Sequence, residues 1–199
     1  MLSTLFIDSV WSTSFYSNLK EYCLNIRKQE DSSGRKFSNR GGYQSNDLNL
    51  SDTQLQPLIN HILSETSKFS STYNFSRNNF YIKNMWVNIN GYKDYNIPHT
   101  HPGSQFSGVY YVDTPHDPYE VDKNGGNIVF RRGHIGKMGF DWNLDFTEWN
   151  QSNSAIWNLS SDTHNCYIFP SYLEHYVDPN LSKEKERISI SFNVALLNS

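Results

Sequence analysis

The chain has 199 residues, 37% of them hydrophobic and 15% aromatic, and a formal net charge of −3. That length allows one domain with a real core and not two well-developed ones. The charge argues against nucleic-acid binding driven by a basic surface. No run approaches the ~20 apolar residues of a membrane span, and two cysteines without a C-x-x-C pair are too few for a structural zinc site.

The opening Met1–Asp8 lacks both a basic start and a long apolar stretch, so no signal peptide is expected. A soluble, cytoplasmic protein with free buried thiols at Cys23 and Cys166 is the corresponding expectation. Over residues 10–28, Trp11, Phe15, Leu19, Tyr22, Cys23 and Ile26 recur at steps of three and four, which predicts a helix. Gln29 to Asn49 is polar, carries Asp-Ser-Ser-Gly and Arg-Gly-Gly, and reads as a loop. Ser51-Asp52-Thr53 offers a cap for a second helix, with Leu55, Leu58, Ile59, Ile62 and Leu63 along one side.

Near residue 79 the period changes from 3.6 to two. Phe80–Asn90, Phe106–Val112, Asn127–Phe130, Ala155–Leu159, Asn165–Phe169 and Arg187–Leu196 read as strands bounded by turn residues. The expected architecture is mainly β with N-terminal helices. Residues 1–78 act as helical support and residues 79–199 form a sandwich or jelly-roll core, in one domain over 1–199.

Seven histidines occur, and three carry the functional reading. His99 and His101 stand two apart on an extended backbone, where i and i+2 share a face, so both imidazoles can meet one ion. A third, His175, follows the apolar strand Ile168-Phe169 and Pro170. In Arg187-Ile188-Ser189-Ile190-Ser191-Phe192-Asn193-Val194, alternation puts Arg187, Ser189, Ser191 and Asn193 on one face. Either that face lines a site, where the guanidinium suits a carboxylate, or it faces water and Arg187 pairs with Glu184 or Glu186. Trp142, Trp149 and Trp157 are read first as core or interface packing and otherwise as site lining. A lid over the site mouth from Gln29–Asn49 and Thr114–Gly126, the latter with His116 and Tyr119, is a further candidate. His134 and His164 are read as surface or loop residues, and His61 as structural.

His99-Thr100-His101-Pro102-Gly103-Ser104-Gln105-Phe106 with the strand after it, then Phe169-Pro170-Ser171 to His175, then Arg187-Ile188-Ser189-Ile190-Ser191-Phe192-Asn193, resembles the 2-oxoglutarate/iron(II) oxygenases. The likeness is to short bacterial and phage-type members distantly similar to prolyl hydroxylases, and it covers residues 80–199. It implies a double-stranded β-helix, or jelly roll, and an enzyme using iron(II), 2-oxoglutarate and O2. His99 would open the family's H-x-D/E pair, and His175 would be the distal ligand. Arg187 and Ser189 would bind the distal carboxylate of 2-oxoglutarate with Tyr111, and Asn88 its other end. One departure stands out: His101 occupies the usual carboxylate position, which gives the metal set His99, His101 and His175. Asp94 and Asp113 have the wrong spacing to replace it.

The substrate implied is a protein side chain, an amino acid or a small metabolite. A three-His dioxygenase without 2-oxoglutarate and a non-catalytic jelly-roll binding module remain as alternatives. So does a homodimer through the N-terminal helices.

Overall fold

The computed structural model describes residues 8–30, 33–75, 78–115, 125–132, 147–151 and 153–197. Its elements in chain order are β1 (Trp11–Ser14), α1 (Lys20–Gln29), β2 (Asn39–Arg40), β3 (Tyr43–Gln44), α2 (Gln56–Ser71), β4 (Phe80–Asn90), β5 (Tyr95–His99), β6 (Phe106–Asp113), β7 (Ile128–Arg131), β8 (Ile156–Leu159), β9 (Asn165–Pro170), β10 (His175–Val177) and β11 (Arg187–Leu196). They form two antiparallel sheets, ordered β1-β9-β6-β11-β4-β3 and β2-β5-β10-β7-β8.

Strand β11 lies at the centre of the larger sheet, paired along its length with β4 and with β6. Its odd and even residues do different work. Ile188, Ile190, Phe192 and Val194 are almost fully buried in the main core, with Met85, Val87 and Ile89 of β4. Leu58, Ile59, Ile62 and Phe69 of α2, with Leu55 just before it, cover that face. Each such side chain contributes roughly 1.5–3 kcal/mol by leaving water. The opposite face of β11 looks toward the smaller sheet and lines a cavity between the two layers. A second core cluster, Val109, Tyr111, Ile128, Phe130, Tyr167, Phe169 and Leu173, fills the rest of that space.

The N-terminal part departs from the helix expected over 10–28. Trp11–Ser14 is instead an edge strand paired with β9, and α1 starts only at Lys20. The steps of four from Trp11 to Phe15 to Leu19 misled, because residues four apart share a face in a strand as well as in a helix. The second helix starts at Gln56 rather than at a Ser51–Thr53 cap. Pro57 sits in its first turn, where its fixed φ suits a start, and Asp52 accepts the N–H of Gln54 in the turn before it. Within the polar segment 29–49, β2 joins the smaller sheet through β5 and β3 joins the larger one through β4. The segment therefore clips the two layers together. Gly41 and Gly42, both with positive φ, make the crossing, and a side chain at 41 would collide with the Asp94 carboxylate. The N-terminal residues thus supply three strands as well as helical support.

Candidate active site

His99 and His175 are direct cross-strand partners on β5 and β10. Each is fixed by a backbone carbonyl two residues earlier: His99 Nδ1 donates to Ile97 (2.7 Å) and His175 Nδ1 to Leu173 (2.9 Å). That choice of tautomer leaves both Nε2 atoms bare and aimed into the cavity, as a metal ligand requires. His101 comes two residues after His99, its backbone N–H tied to the Ser171 carbonyl (2.9 Å). Its Nε2 lies 3.3 Å from that of His175. Two nitrogens bonded to one ion at ~2.1 Å are separated by about that much. Ligand atoms of all three rings fall within 4.8 Å of one another.

Aromatic rings pack against the cluster. Phe169 and Phe130 lie against His175, with ring centroids at 4.6 and 6.1 Å, and Trp86 flanks His101 at 5.9 Å. Burial pushes the imidazole pKa values down, with further lowering by His99: to about 4 for His101 and about 3 for His175. Burial also lowers His99. All three are neutral at pH 7, the state that binds metal.

The cavity measures about 630 Å³ and is lined by the three histidines together with Arg187, Ser189, Tyr111 and Asn88. Every site residue expected from the sequence therefore faces one space. Arg187 is 2% exposed. Its Nη1 donates to the backbone carbonyls of Gly126 (3.0 Å) and Asp178 (3.3 Å). Among the described residues no carboxylate forms a salt bridge with it, Glu184 and Glu186 included, and Glu186 is held by Arg27 at 2.7 Å; Asp178 and Asp94 act on it only through space. The Nε of Arg187 and the hydroxyl of Tyr111 are buried with no hydrogen-bond partner. Buried orphans of this kind are costly, and both residues line the cavity. A carboxylate fits this donor set in charge and in geometry. Asn88 instead donates to the Ser191 hydroxyl (2.9 Å).

Alternation along β4 would send Lys83 to the core face. A β-bulge at the level of Asn193 shifts the register, and Lys83 and Asn84 both line the cavity. Sequence patterning misses this. Trp86 falls on the Asn88 face of β4 by the same alternation, and Arg35, Phe37 and Ser38 come from the Gln29–Asn49 stretch read as a candidate lid, carried there by the segment around β2. Trp149 (63% exposed) and Trp157 (37%) neither pack in the core nor line the cavity, which corrects the core and site-lining readings of them. Asp113 is held by Lys20 and Lys185, and Asp94 accepts the Gly91 N–H; neither reaches the histidines. His61 stacks on Phe15 from α2, and His164 lies in a turn and bonds Tyr110. His116, Tyr119, His134 and Trp142 lie outside the described residues.

Residues 84–193, more than half of the chain, match a family model described as "Putative 2OG-Fe(II) oxygenase". The chain belongs to the 2OG-Fe(II) oxygenase family. Among solved structures it is similar to a prolyl-4-hydroxylase of Pseudomonas putida, at 11% identity over 96% of this chain and 94% of that one, with a TM-score of 0.66. A prolyl hydroxylase of Trichoplax adhaerens, in complex with a hypoxia inducible factor peptide fragment, matches at 12% identity over 94% and 84% of the two chains, TM-score 0.60. The viral collagen prolyl hydroxylase of Paramecium bursaria Chlorella virus-1, in a 2OG complex, matches at 13% over 94% and 96%, TM-score 0.56. At such identities the likeness concerns the fold. No curated protein matches the chain. This 2OG-Fe(II) oxygenase has a mainly β structure of two antiparallel sheets, and no described helix is long and apolar enough to cross a membrane.

Proposed function

We propose that the two sheets form a double-stranded β-helix in a single domain, that His99, His101 and His175 hold iron(II), and that Arg187, Ser189 and Tyr111 bind the distal carboxylate of 2-oxoglutarate. The reaction is hydroxylation of a protein side chain, an amino acid or a small metabolite. One observation carries this reading: a fully buried guanidinium, with no salt-bridge partner among the described residues, shares a cavity with three convergent imidazoles. A non-catalytic binding module would have little reason to bear the cost of that unpaired charge.

When bound, iron and 2-oxoglutarate supply the family's oxygen-dependent oxidative chemistry, with decarboxylation of the co-substrate. The chain's own residues do the rest. Ile97 and Leu173 carbonyls fix the two Nε2 lone pairs of His99 and His175. Phe130, Phe169 and Trp86 exclude water around the rings. The Arg187 fork and the Tyr111 hydroxyl orient an acid, and Ser189 adds a hydroxyl beside them. The polar wall of Asn84, Asn88, Ser191 and Asn193 gives a substrate both donors and acceptors. Two free buried thiols, Cys23 and Cys166, fit a reducing, cytoplasmic setting.

Anaerobic titration with iron(II) and then 2-oxoglutarate tests the reading through the weak visible charge-transfer band of the chelate. A band in the wild type that is absent in His175→Ala supports it. Tight iron binding without a band would move the assignment to a dioxygenase that uses no 2-oxoglutarate, and no iron binding at all would leave a binding module.

A further inference from the structure

The formal charges lining the cavity are all of one sign. Among the described residues its walls carry three neutral imidazoles and the cations Arg187, Arg35 and Lys83, but no Asp or Glu. Arg35 is offset by Asp47 at 2.9 Å. Lys83 donates to the Gly103 carbonyl (2.8 Å), and Arg187 meets only backbone carbonyls through Nη1. Of the described acidic groups close by, Glu174 pairs with Arg131 at 2.8 Å and Asp94 accepts the Gly91 N–H, while Asp178 and Asp94 act on Arg187 only through space.

A divalent ion held by three uncharged nitrogens keeps its whole double charge, because none of its protein donors is an anion. Arg187 adds a further buried cation in the same cavity, where like charges repel more than in bulk water. Among the described residues no carboxylate forms a salt bridge with Arg187, although Asp178 and Asp94 act on it through space, and none lines the cavity beside the three imidazoles. A dianion that reaches both the ion and Arg187 would balance both at once.

We infer that His101, by supplying an uncharged donor, makes retention of the metal conditional on a dianionic 2-oxo acid, so that metal and co-substrate load as a pair and each binds weakly alone. The inference rests on the functional reading above and adds an order of dependence to it. By linkage the strengthening is reciprocal: whatever factor 2-oxoglutarate gives the metal, the metal gives 2-oxoglutarate. The residue that sets this factor is His101, since an aspartate there would place one negative charge among the donors permanently.

The test is an anaerobic Mn(II) titration followed by loss of the free-ion EPR signal, with and without 2-oxoglutarate, on wild type and His101→Asp. Binding of 2-oxoglutarate itself is read in parallel by calorimetry. In the wild type, saturating 2-oxoglutarate should tighten Mn(II) at least tenfold, and the monoanion 2-oxobutyrate should tighten it less. In His101→Asp, Mn(II) alone should bind at least tenfold more tightly than in the wild type, and the gain from 2-oxoglutarate should shrink. Equal gains in the two proteins, or a wild-type gain under threefold while 2-oxoglutarate still binds, would overturn the inference and leave the functional reading standing. Failure of 2-oxoglutarate to bind the metal-loaded wild type would overturn the functional reading itself. Should His101→Asp not fold, the comparison of dianion with monoanion on the wild type decides alone: equal tightening by both refutes the role of charge.

Discussion

Replacing Arg187 by Met separates what the residue does for the ligand from what it does for the fold. In the ligand-free protein the guanidinium is fully buried, its pKa lowered by that burial, and Asp178 and Asp94, which form no salt bridge with it, offset only part of its desolvation. Removing such a charge relieves several kcal/mol of unfavourable burial. Against this stand the Gly126 and Asp178 carbonyls, which lose their donor at about 1–3 kcal/mol each when left buried and unpaired. The two effects nearly cancel, so Arg187→Met should unfold within about 2 kcal/mol of the wild type. For 2-oxoglutarate the sign is unambiguous: losing one partner of a buried charge pair costs about 3–5 kcal/mol, a fall in affinity of more than a hundredfold. Urea denaturation of the metal-free protein gives the first quantity, and calorimetric titration of the metal-loaded protein gives the second. A variant that loses more than ~4 kcal/mol of stability while binding 2-oxoglutarate within threefold of the wild type would refute the assignment, since Arg187 would then be a structural cation.

Tyr111→Phe deletes a buried hydroxyl that has no partner, so thermal unfolding of the apo-protein should stay level or rise slightly while 2-oxoglutarate binding weakens by about fivefold, the loss of one hydrogen bond. Gly126→Ala forces a side chain onto a residue with φ of +76° and brings its Cβ 2.9 Å from Arg187 Nη1; it should lower stability by about 1 kcal/mol or more and reduce 2-oxoglutarate affinity, both absent if the loop simply gives way. The apo-protein should also lose stability in acid. Burial holds His101 and His175 near pKa values of about 4 and 3, below the ~6.5 of an unfolded histidine. Their contribution is complete above pH 6.5 and is lost as pH falls from there toward 4 and 3, because the unfolded chain takes up the protons first. A melting temperature flat from pH 7 to 4 would contradict this, and bound metal should shift the loss to lower pH.

Much of the site could be read from the sequence because it lies where period-two patterning is reliable. β11 alternates cleanly, and the same alternation that buries Ile188, Ile190 and Phe192 turns Arg187, Ser189 and Ser191 to the other side. His99 and His101 share a face for the same reason. Patterning failed where the chain breaks period. The bulge on β4 changes the phase at Lys83, and a bulge depends on how two strands register, which neither strand's sequence states alone. Trp11–Ser14 failed because steps of four fit two periods at once. The two-residue strands β2 and β3 offer too few residues to show a period, and their pairing comes from partners about fifty residues away.

The division of β11 into two faces has a consequence for how such a site can change. Its core face fixes the strand against α2 and β4 through side chains that lose several kcal/mol when truncated, whereas its cavity face carries Ser189, Ser191 and Asn193, of which Ser191 bonds Asn88 and Asn193 bonds Ser107 and Asn84, exchangeable polar contacts at the cavity wall. Substitutions on the cavity face can therefore alter what is bound without threatening the strand. Arg187 is the exception on that face, because its Nη1 also ties β11 to the backbone at Gly126 and Asp178. Phe192→Ala should accordingly cost about 3–5 kcal/mol and unfold the sheet before it touches binding, while Ser191→Ala should leave the melting temperature within a degree or two and act on Asn88, whose amide loses its acceptor. If Ser191→Ala proved as destabilising as Phe192→Ala, the two faces would not be independent, and the inner face would have to be counted as core.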